Sequence, residues 1–294
     1  MNRLTVVTVN YNSKDYLARC LESLHRRTHG PFQSVVVDNA SQDRDFTELE
    51  RRFPEVQFLL NEKNLGFSAG CNRGIRACPA RYYLLLNPDC QVEEGALDRC
   101  CAFLDAHPQA GIVGCRINHP DGTLQLACRR SIPRPRVALA RMLGLSLLFP
   151  RSKSLARYNL TYLDPGQTHP VEAVSGSFLM FRHELLETSG WMDEQFFLYG
   201  EDLDFCYRAA QEGWEIYYYP EAQAVHYKGR SVERDPGPSL YHYYNAMEIF
   251  YRKHFLQEAG RLQSGLVIAG IRLLYTLKRW KVRLFGRPSV TSAR

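Results

Sequence analysis

The first 117 residues repeat one alternation, a short run rich in β-branched and aromatic residues followed by an amphipathic stretch. This rhythm restricts the chain to an α/β fold before composition is considered. Strand-like runs fall at 4–9, 35–37, 56–60, 82–86 and 111–117, and helix-like stretches at 14–26, 46–53, 68–77 and 94–106. In the first of these helices Leu17, Cys20, Leu21 and Leu24 share one face. Strands joined by crossover helices pair in parallel, so the expected core is a mostly parallel central sheet flanked by helices. With 294 residues, 45% of them hydrophobic, one large unit suffices, and no Pro/Ser/Gly-rich stretch marks an internal linker.

Beyond residue 117 the rhythm breaks. Asn118-His119-Pro120-Asp121-Gly122 signals a hairpin turn, and a Pro/Arg-interrupted segment at 129–136 leads into an apolar run at 137–149, expected to form an irregular or lid-like excursion. A strand is expected at 173–181, a helix at 201–211 ending at Gly213, short strands at 215–219 and 224–227, and an aromatic-rich helix at 241–254.

The net charge of +6 is concentrated at one end. Residues 257–294 carry eight Lys/Arg against the single acid Glu258, which leaves the preceding body close to neutral. A balanced body argues against nucleic acid as partner, whereas a basic tail interleaved with Leu, Ile, Trp and Phe suits an anionic lipid surface. In that tail Leu262, Leu266, Ile268, Ile271, Leu274, Leu277 and Trp280 are the residues expected to meet lipid or another protein surface. Its longest uncharged run, 262–271, is about half of a membrane span, so the tail is expected to lie on a bilayer and not cross it. Nine cysteines, an odd number without a C-x-x-C pair, are expected to be buried and reduced in a cytoplasmic protein. No apolar leader precedes the first strand, so no signal peptide is expected.

In an open parallel sheet, ligands bind beyond the carboxyl ends of the strands. Those ends are polar here: Asn10-Tyr11-Asn12, Asp38-Asn39-Ala40-Ser41, Asn61 to Asn64, and Asn87-Pro88-Asp89. Such residues also cap helices and form turns, so each alone is ambiguous. The first turn, Val9 to Lys14, carries neither G-x-G-x-x-G nor a Walker-type loop, so any nucleotide must be held by side chains and a metal. Asp89 closes a very apolar strand, where a carboxylate is costly unless paired or bound to a cation, and is therefore the metal candidate. Three acids, Glu201, Asp202 and Asp204, open a helix after Phe196-Phe197-Leu198-Tyr199. Either they complement the helix dipole, as Glu94 does, or one is a general base. Arg208 lies at i+4 from Asp204 and leaves Asp202 for that role. His226 is either a second metal ligand, with Lys228 or Arg230 offsetting phosphate charge, or an ordinary surface histidine. His25, His29, His107 and His254 read as helix-face or loop residues.

These segments together resemble the family 2 glycosyltransferases of the GT-A fold, especially bacterial rhamnosyltransferase-like members. The resemblance runs from about residue 4 to 255 and is carried by Val-Asn-Tyr-Asn at 9–12, Val-Asp-Asn-Ala-Ser at 37–41, Asn-Leu-Gly-Phe at 64–67 with Asn72, Leu-Leu-Asn-Pro-Asp at 85–89, Ser-Gly-Ser-Phe at 175–178, Tyr-Gly-Glu-Asp-Leu-Asp at 199–204 and His-Tyr-Lys-Gly-Arg-Ser at 226–231. It implies a catalytic domain over 1–256 followed by a basic amphipathic helical tail over 257–294 at a membrane surface or an oligomer contact. It implies that Val9, Asn10, Tyr11, Asn12, Asp38, Asn64, Gly66, Asn72, Asn87 and Pro88 bind the nucleotide-sugar, a dTDP- or UDP-sugar, with Asp38 accepting the imide N–H of the base beside Tyr11. Asp89 would hold Mg2+ or Mn2+ in the family's D-x-D role, with Asn87 in place of the first Asp and His226 as a metal or phosphate contact. Asp202 would deprotonate the acceptor, Glu201 would sit in the acceptor site, and Gly176 would let the acceptor approach. The implied reaction is inverting transfer of rhamnose or another deoxyhexose to a glycan or polyprenyl-diphosphate-linked acceptor at the inner face of the cytoplasmic membrane, by a possible homo-oligomer. A sugar nucleotidylyltransferase would need a Gly-rich, Arg-containing first loop, which Asn10–Lys14 lacks; a non-catalytic binding module would be expected to have lost Asp89 or Asp202.

Overall fold

The computed structural model describes residues 2–227, 236–258 and 260–285. The expected alternation comes first: β1 (Asn2–Asn10), α1 (Lys14–Arg27), β2 (Gln33–Asp38), α2 (Thr47–Arg52), β3 (Val56–Leu60), α3 (Phe67–Ala77) and β4 (Ala80–Leu86). A three-residue strand β5 (Cys90–Val92), unforeseen in the sequence, precedes α4 (Ala96–Ala106) and β6 (Ala110–Asn118). The excursion holds β7 (Arg129–Arg130), α5 (Pro135–Met142), α6 (Leu145–Leu148) and β8 (His169–Pro170). Then follow β9 (Ala173–Val174), β10 (Phe178–Arg182), α7 (Glu184–Thr188), α8 (Glu201–Gln211), β11 (Glu215–His226), α9 (Pro236–His254) and α10 (Arg261–Phe285).

The main sheet runs β3-β2-β1-β4-β10-β6-β11-β5, with β8 beside β11. Strands β1 to β4 pair in parallel, as do β6 and β11, but β10 lies antiparallel between β4 and β6. The mostly parallel sheet is therefore as expected, while β6 is not the neighbour of β4 that chain order suggests. The strand expected at 173–181 is two, because Ser175-Gly176-Ser177 turns the chain out of the small β7–β9 ribbon into β10. Conversely, the strands expected at 215–219 and 224–227 are one, β11, with an irregularity between Tyr219 and Gln223. The 118–122 turn forms: His119 N–H donates to the Thr123 carbonyl at 2.7 Å, and Asn118 bridges to Leu124.

Tyr82–Leu86 is buried throughout because helices cover both faces of the sheet, so β4 reads as a continuous apolar run instead of alternating. Helix α3 sits unusually close to β1. A Cβ on Gly74 would meet Val7 Cγ1 at 2.4 Å, and one on Gly70 would meet Val9 Cγ1 at 2.8 Å, so two glycines one turn apart admit the helix. Eight of the nine cysteines are buried, and burial pushes the thiols of Cys20, Cys71, Cys90, Cys100 and Cys115 upward, which keeps them protonated. Among the described residues no helix is long and apolar enough to cross a membrane.

Candidate active site

The topology explains why the polar segments meet. β1, β2, β4 and β11 end at one edge of the sheet, and because β10 runs the opposite way, the turn that enters it lies at the same edge. Asn87 N–H donates to the Ser177 carbonyl at 3.1 Å, Tyr227 N–H donates to the Asp89 carbonyl at 2.9 Å, and Gly176 N–H donates to Asp202 Oδ2 at 2.8 Å. Three segments far apart in sequence thus converge on Ser175-Gly176-Ser177 and its neighbours.

One corner holds Asp89 and His226, both buried, with Asp89 Oδ1 3.0 Å from His226 Nε2. Oxygen and imidazole nitrogen suit Mg2+ or Mn2+, and 3.0 Å is the edge spanned by two adjacent ligands of an octahedral ion with bonds of about 2.1 Å. Cys90 Sγ is within 4.8 Å of both, but its thiol donates to the Ser177 carbonyl and burial holds it protonated, so it is no ligand for a hard cation. Asp89 and His226 therefore fit a divalent ion. Their neighbours Lys228 and Arg230, considered for phosphate, lie outside the described residues, as do 229 and 231 of the same motif.

The second corner is the start of α8. Asp202 Oδ2 accepts from Arg130 Nη2 at 2.6 Å as well as from Gly176, and its Oδ1 accepts from Leu203 N–H at 2.7 Å. Burial opposes the charge of Arg130, but Asp202 beside it outweighs this and raises the guanidinium pKa above its ordinary value. Glu201 is buried, with Oε2 lacking a hydrogen-bond partner among the described residues; burial, and then the charge of Asp202, push its carboxyl up to about 8. Asp204 is fully buried and serves the scaffold. It accepts from Arg208 at 2.8 Å, as the i+4 spacing predicted, and also from Lys253 at 2.8 Å and His254 at 2.7 Å on α9. Against the cost of burial, these partners hold its carboxyl at about 2.

The residues expected to bind nucleotide divide into two groups. Tyr11 is exposed on the rim, and Asn12 beside it adopts φ +53 while accepting from Gln42 N–H at 2.7 Å. Asn87 is half-buried and Pro88 buried in the turn that carries Asp89. Asp38, in contrast, presents no open oxygen. Its side chain is 0% exposed; Oδ1 accepts from Asn10 Nδ2 at 2.8 Å and Ser41 Oγ at 2.5 Å, and Oδ2 from Ser41 N–H at 3.0 Å. In this arrangement Asp38 shapes the floor of the cleft together with Asn10. Asn72 is also turned away from ligand duty: its amide clasps Met192 from both sides, at 2.9 and 3.1 Å, and donates to Glu194 at 2.8 Å. Val9 packs under α3. Asn64 accepts from Gly66 N–H at 2.9 Å, and Gly66, at φ +87, has no room for a side chain against Phe197. Gly176 serves closeness of a different kind from that expected. A Cβ there would stand 3.3 Å from Asp202 Cβ and 3.5 Å from Glu201 Oε1, so it is α8 that the glycine admits.

Arg130, Gln125, Lys253 and His254 contact the site residues without any local sequence signal. Each lies 49 or more residues from its partner, and the Pro/Arg-interrupted segment at 129–136 reads in sequence only as the lead-in to an irregular excursion.

Comparison with known sequences decides the family. The sequence profile of glycosyl transferase family 2 matches residues 5–190, and that of glycosyl transferase family group 2 matches 149–253. The chain belongs to glycosyl transferase family 2. Among its relatives, the N-acetylglucosaminyl-diphospho-decaprenol L-rhamnosyltransferase of Mycobacterium tuberculosis is 31% identical over 258 residues, covering 84% of this chain and 83% of that protein. The low-salt glycan biosynthesis hexosyltransferase Agl10 of Haloferax volcanii is 28% identical, covering 87% and 75%. The solved mannosyltransferase of Pyrobaculum calidifontis, in complex with GDP-Man and Mn2+, superposes with a TM-score of 0.59 at 17% identity, covering 96% of this chain and 72% of that one. The family 2 enzyme described here thus has the expected GT-A fold, and it is a glycosyltransferase similar to a rhamnosyltransferase.

Proposed function

We propose that this family 2 enzyme transfers rhamnose or a related deoxyhexose from a dTDP- or UDP-sugar to a hydroxyl of a lipid-linked glycan, with inversion at the anomeric carbon. One observation carries the reading: Ser175-Gly176-Ser177 bonds Asn87, two residues from Asp89, on one side and Asp202 on the other, which supports a cation site and a carboxylate base acting side by side at one turn. A divalent ion held by Asp89 and His226 would supply charge neutralisation for the departing diphosphate. Asp202 accepts the proton of the acceptor hydroxyl, whose oxygen attacks the anomeric carbon from the face opposite the leaving group. Arg130 keeps Asp202 in place and balances its charge. Glu201, protonated below about pH 8, offers the acceptor a hydrogen-bond donor without adding a second negative charge. The rhamnosyl donor and the lipid-linked acceptor are supported by the mycobacterial relative's name.

The test is a panel of dTDP- and UDP-sugars supplied with a lipid-linked acceptor, with and without Mn2+ or Mg2+, on the native chain and Asp89→Asn. The expected result is metal-dependent release of nucleoside diphosphate, at least about a hundredfold slower in the variant. Folded protein that neither turns over nor binds any nucleotide of the panel would refute the reading.

The same proposal places the enzyme at an anionic bilayer through α10, which belongs to the tail assigned to 257–294. One face of this helix docks on α9: Ile271 and Ser264 are buried, and Arg272 pairs with Glu248 at 2.8 Å. The opposite face carries Leu262, Leu266, Leu273, Leu277, Trp280 and Leu284, all exposed, at spacings of 4, 7, 4, 3 and 4 residues that align them in one stripe. This corrects the expected apolar face, since Ile271 points to the protein body and Ile268 packs toward it. Lys281 borders the stripe on one side and Arg283 on the other, and the helix contains no acid. Flotation with vesicles containing anionic lipid is expected to carry the native chain but not Leu273→Ser/Leu277→Ser/Trp280→Ser. A native chain that stays with the protein fraction at low salt, or that dimerises through this face without lipid, would reassign the stripe.

A further inference from the structure

His226 can serve a cation only if its Nε2 is unprotonated, and the structure shows which groups face the two ring nitrogens. Gln125, on the turn leaving β6, is buried; its Nε2 donates to the His226 carbonyl at 2.8 Å and lies 3.3 Å from His119 Nδ1. These two acceptors fix the amide, so Oε1 is the atom that faces His226 Nδ1 at 3.0 Å. A carbonyl oxygen only accepts, so Gln125 favours a proton on Nδ1, while the Asp89 carboxylate, which also only accepts, competes for a proton on Nε2. With the proton on Nδ1, Nε2 directs a lone pair at Asp89 Oδ1, also 3.0 Å away. Two lone pairs at that distance repel, and a cation between them removes the repulsion.

We propose that Gln125 is a positioning residue that sets the Nδ1–H tautomer of His226 and thereby reserves Nε2 and Asp89 for a divalent ion; this rests on the metal reading above. Without Gln125, the imidazole gains more by protonating Nε2 and donating to Asp89, a hydrogen bond that occupies both ligand atoms. Removing such an outer partner of a metal-bound histidine costs about 10- to 100-fold in metal affinity. Neither the D-x-D-like segment nor the histidine motif contains this residue, which lies 101 positions from His226.

Two readouts independent of turnover test it: the tautomer of His226 from 15N NMR of the metal-free protein at pH 9, and Mn2+ affinity by titration. The native chain is expected to show Nδ1–H and to bind Mn2+. Gln125→Leu is expected to show Nε2–H and to bind Mn2+ about 10- to 100-fold more weakly. Gln125→Glu, which keeps an acceptor for Nδ1–H, is expected to retain that tautomer and to bind within a few-fold of native. A native Nε2–H tautomer overturns the inference without recourse to any variant. So does Gln125→Leu with unchanged affinity, or Gln125→Glu as weak as Gln125→Leu with Nδ1–H retained. A native chain that binds no Mn2+ removes the metal reading itself, an outcome distinguishable from these because it precedes any comparison of variants.

Discussion

Asp202→Asn is expected to lower the rate of sugar transfer by about 10²- to 10⁴-fold while nucleotide binding changes little, as measured by initial rates and by titration with the nucleoside diphosphate. The amide fills the same space beside Gly176 and can still accept from Arg130 Nη2, but it cannot take up the acceptor proton. The informative companion is Glu201→Gln. Because the carboxyl of Glu201 is raised from 4.5 to about 8, the native rate profile should break near pH 8, and the variant should lose that break while keeping more than a tenth of the rate. The same shift fixes a sign for stability. The folded protein holds this proton more tightly than the unfolded chain, so the contribution of Glu201 is fully present below about pH 4.5 and is lost as pH rises to about 8. Glu201→Gln should flatten that slope in urea titrations. If Glu201→Gln loses more activity than Asp202→Asn, the two acids exchange roles.

The largest loss of stability is expected at the neighbouring acid. Asp204→Ala removes the common partner of Arg208, Lys253 and His254 from a fully buried site; Lys253 keeps its pair with Asp193, but the Arg208 guanidinium loses its carboxylate, for which about 3–5 kcal/mol is the usual cost. Urea unfolding at pH 7 measures it, and a loss below about 1 kcal/mol would show that solvent reaches the cluster and screens it. The pH dependence is opposite to that of Glu201. Asp204 is held at about 2, below its ordinary 3.8, so its contribution is present above about pH 4 and fades as pH falls toward 2. Because Lys253 and His254 stand on α9, this substitution also loosens the attachment of α9, and with it α10, to the catalytic sheet.

The periodicity of the first 117 residues was enough to read the crossover units, since each strand and helix there buries a face of its own. The position of β10 was not readable, because strand order depends on which edges meet, and Phe178–Arg182 looks the same whether it ends a sheet or fills its middle. The site was legible where chemistry and position coincide, as at Asp89, whose carboxylate ends a buried run. It was less legible where one residue type serves both ligand and scaffold. Asp38 and Asn72 have the expected identities, yet the structure spends their hydrogen bonds on Ser41, Asn10 and Met192. Arg130 and Gln125 escaped notice for a third reason: their meaning lies wholly in partners 72 and 101 residues away.

The late arrival of β10 in the middle of the sheet also governs how this protein can be made. Until Phe178–Arg182 has been synthesised, β4 has no neighbour on one side and β6 has none on the side that β10 will fill. A nascent chain therefore carries one bare edge of β4 and both edges of β6, whose other neighbour β11 comes later still, through the whole of the excursion, and folding must wait on contacts of high sequence separation. It follows that a fragment ending near residue 130, although it contains every crossover unit recognisable in the sequence, should aggregate instead of folding as a half-size domain.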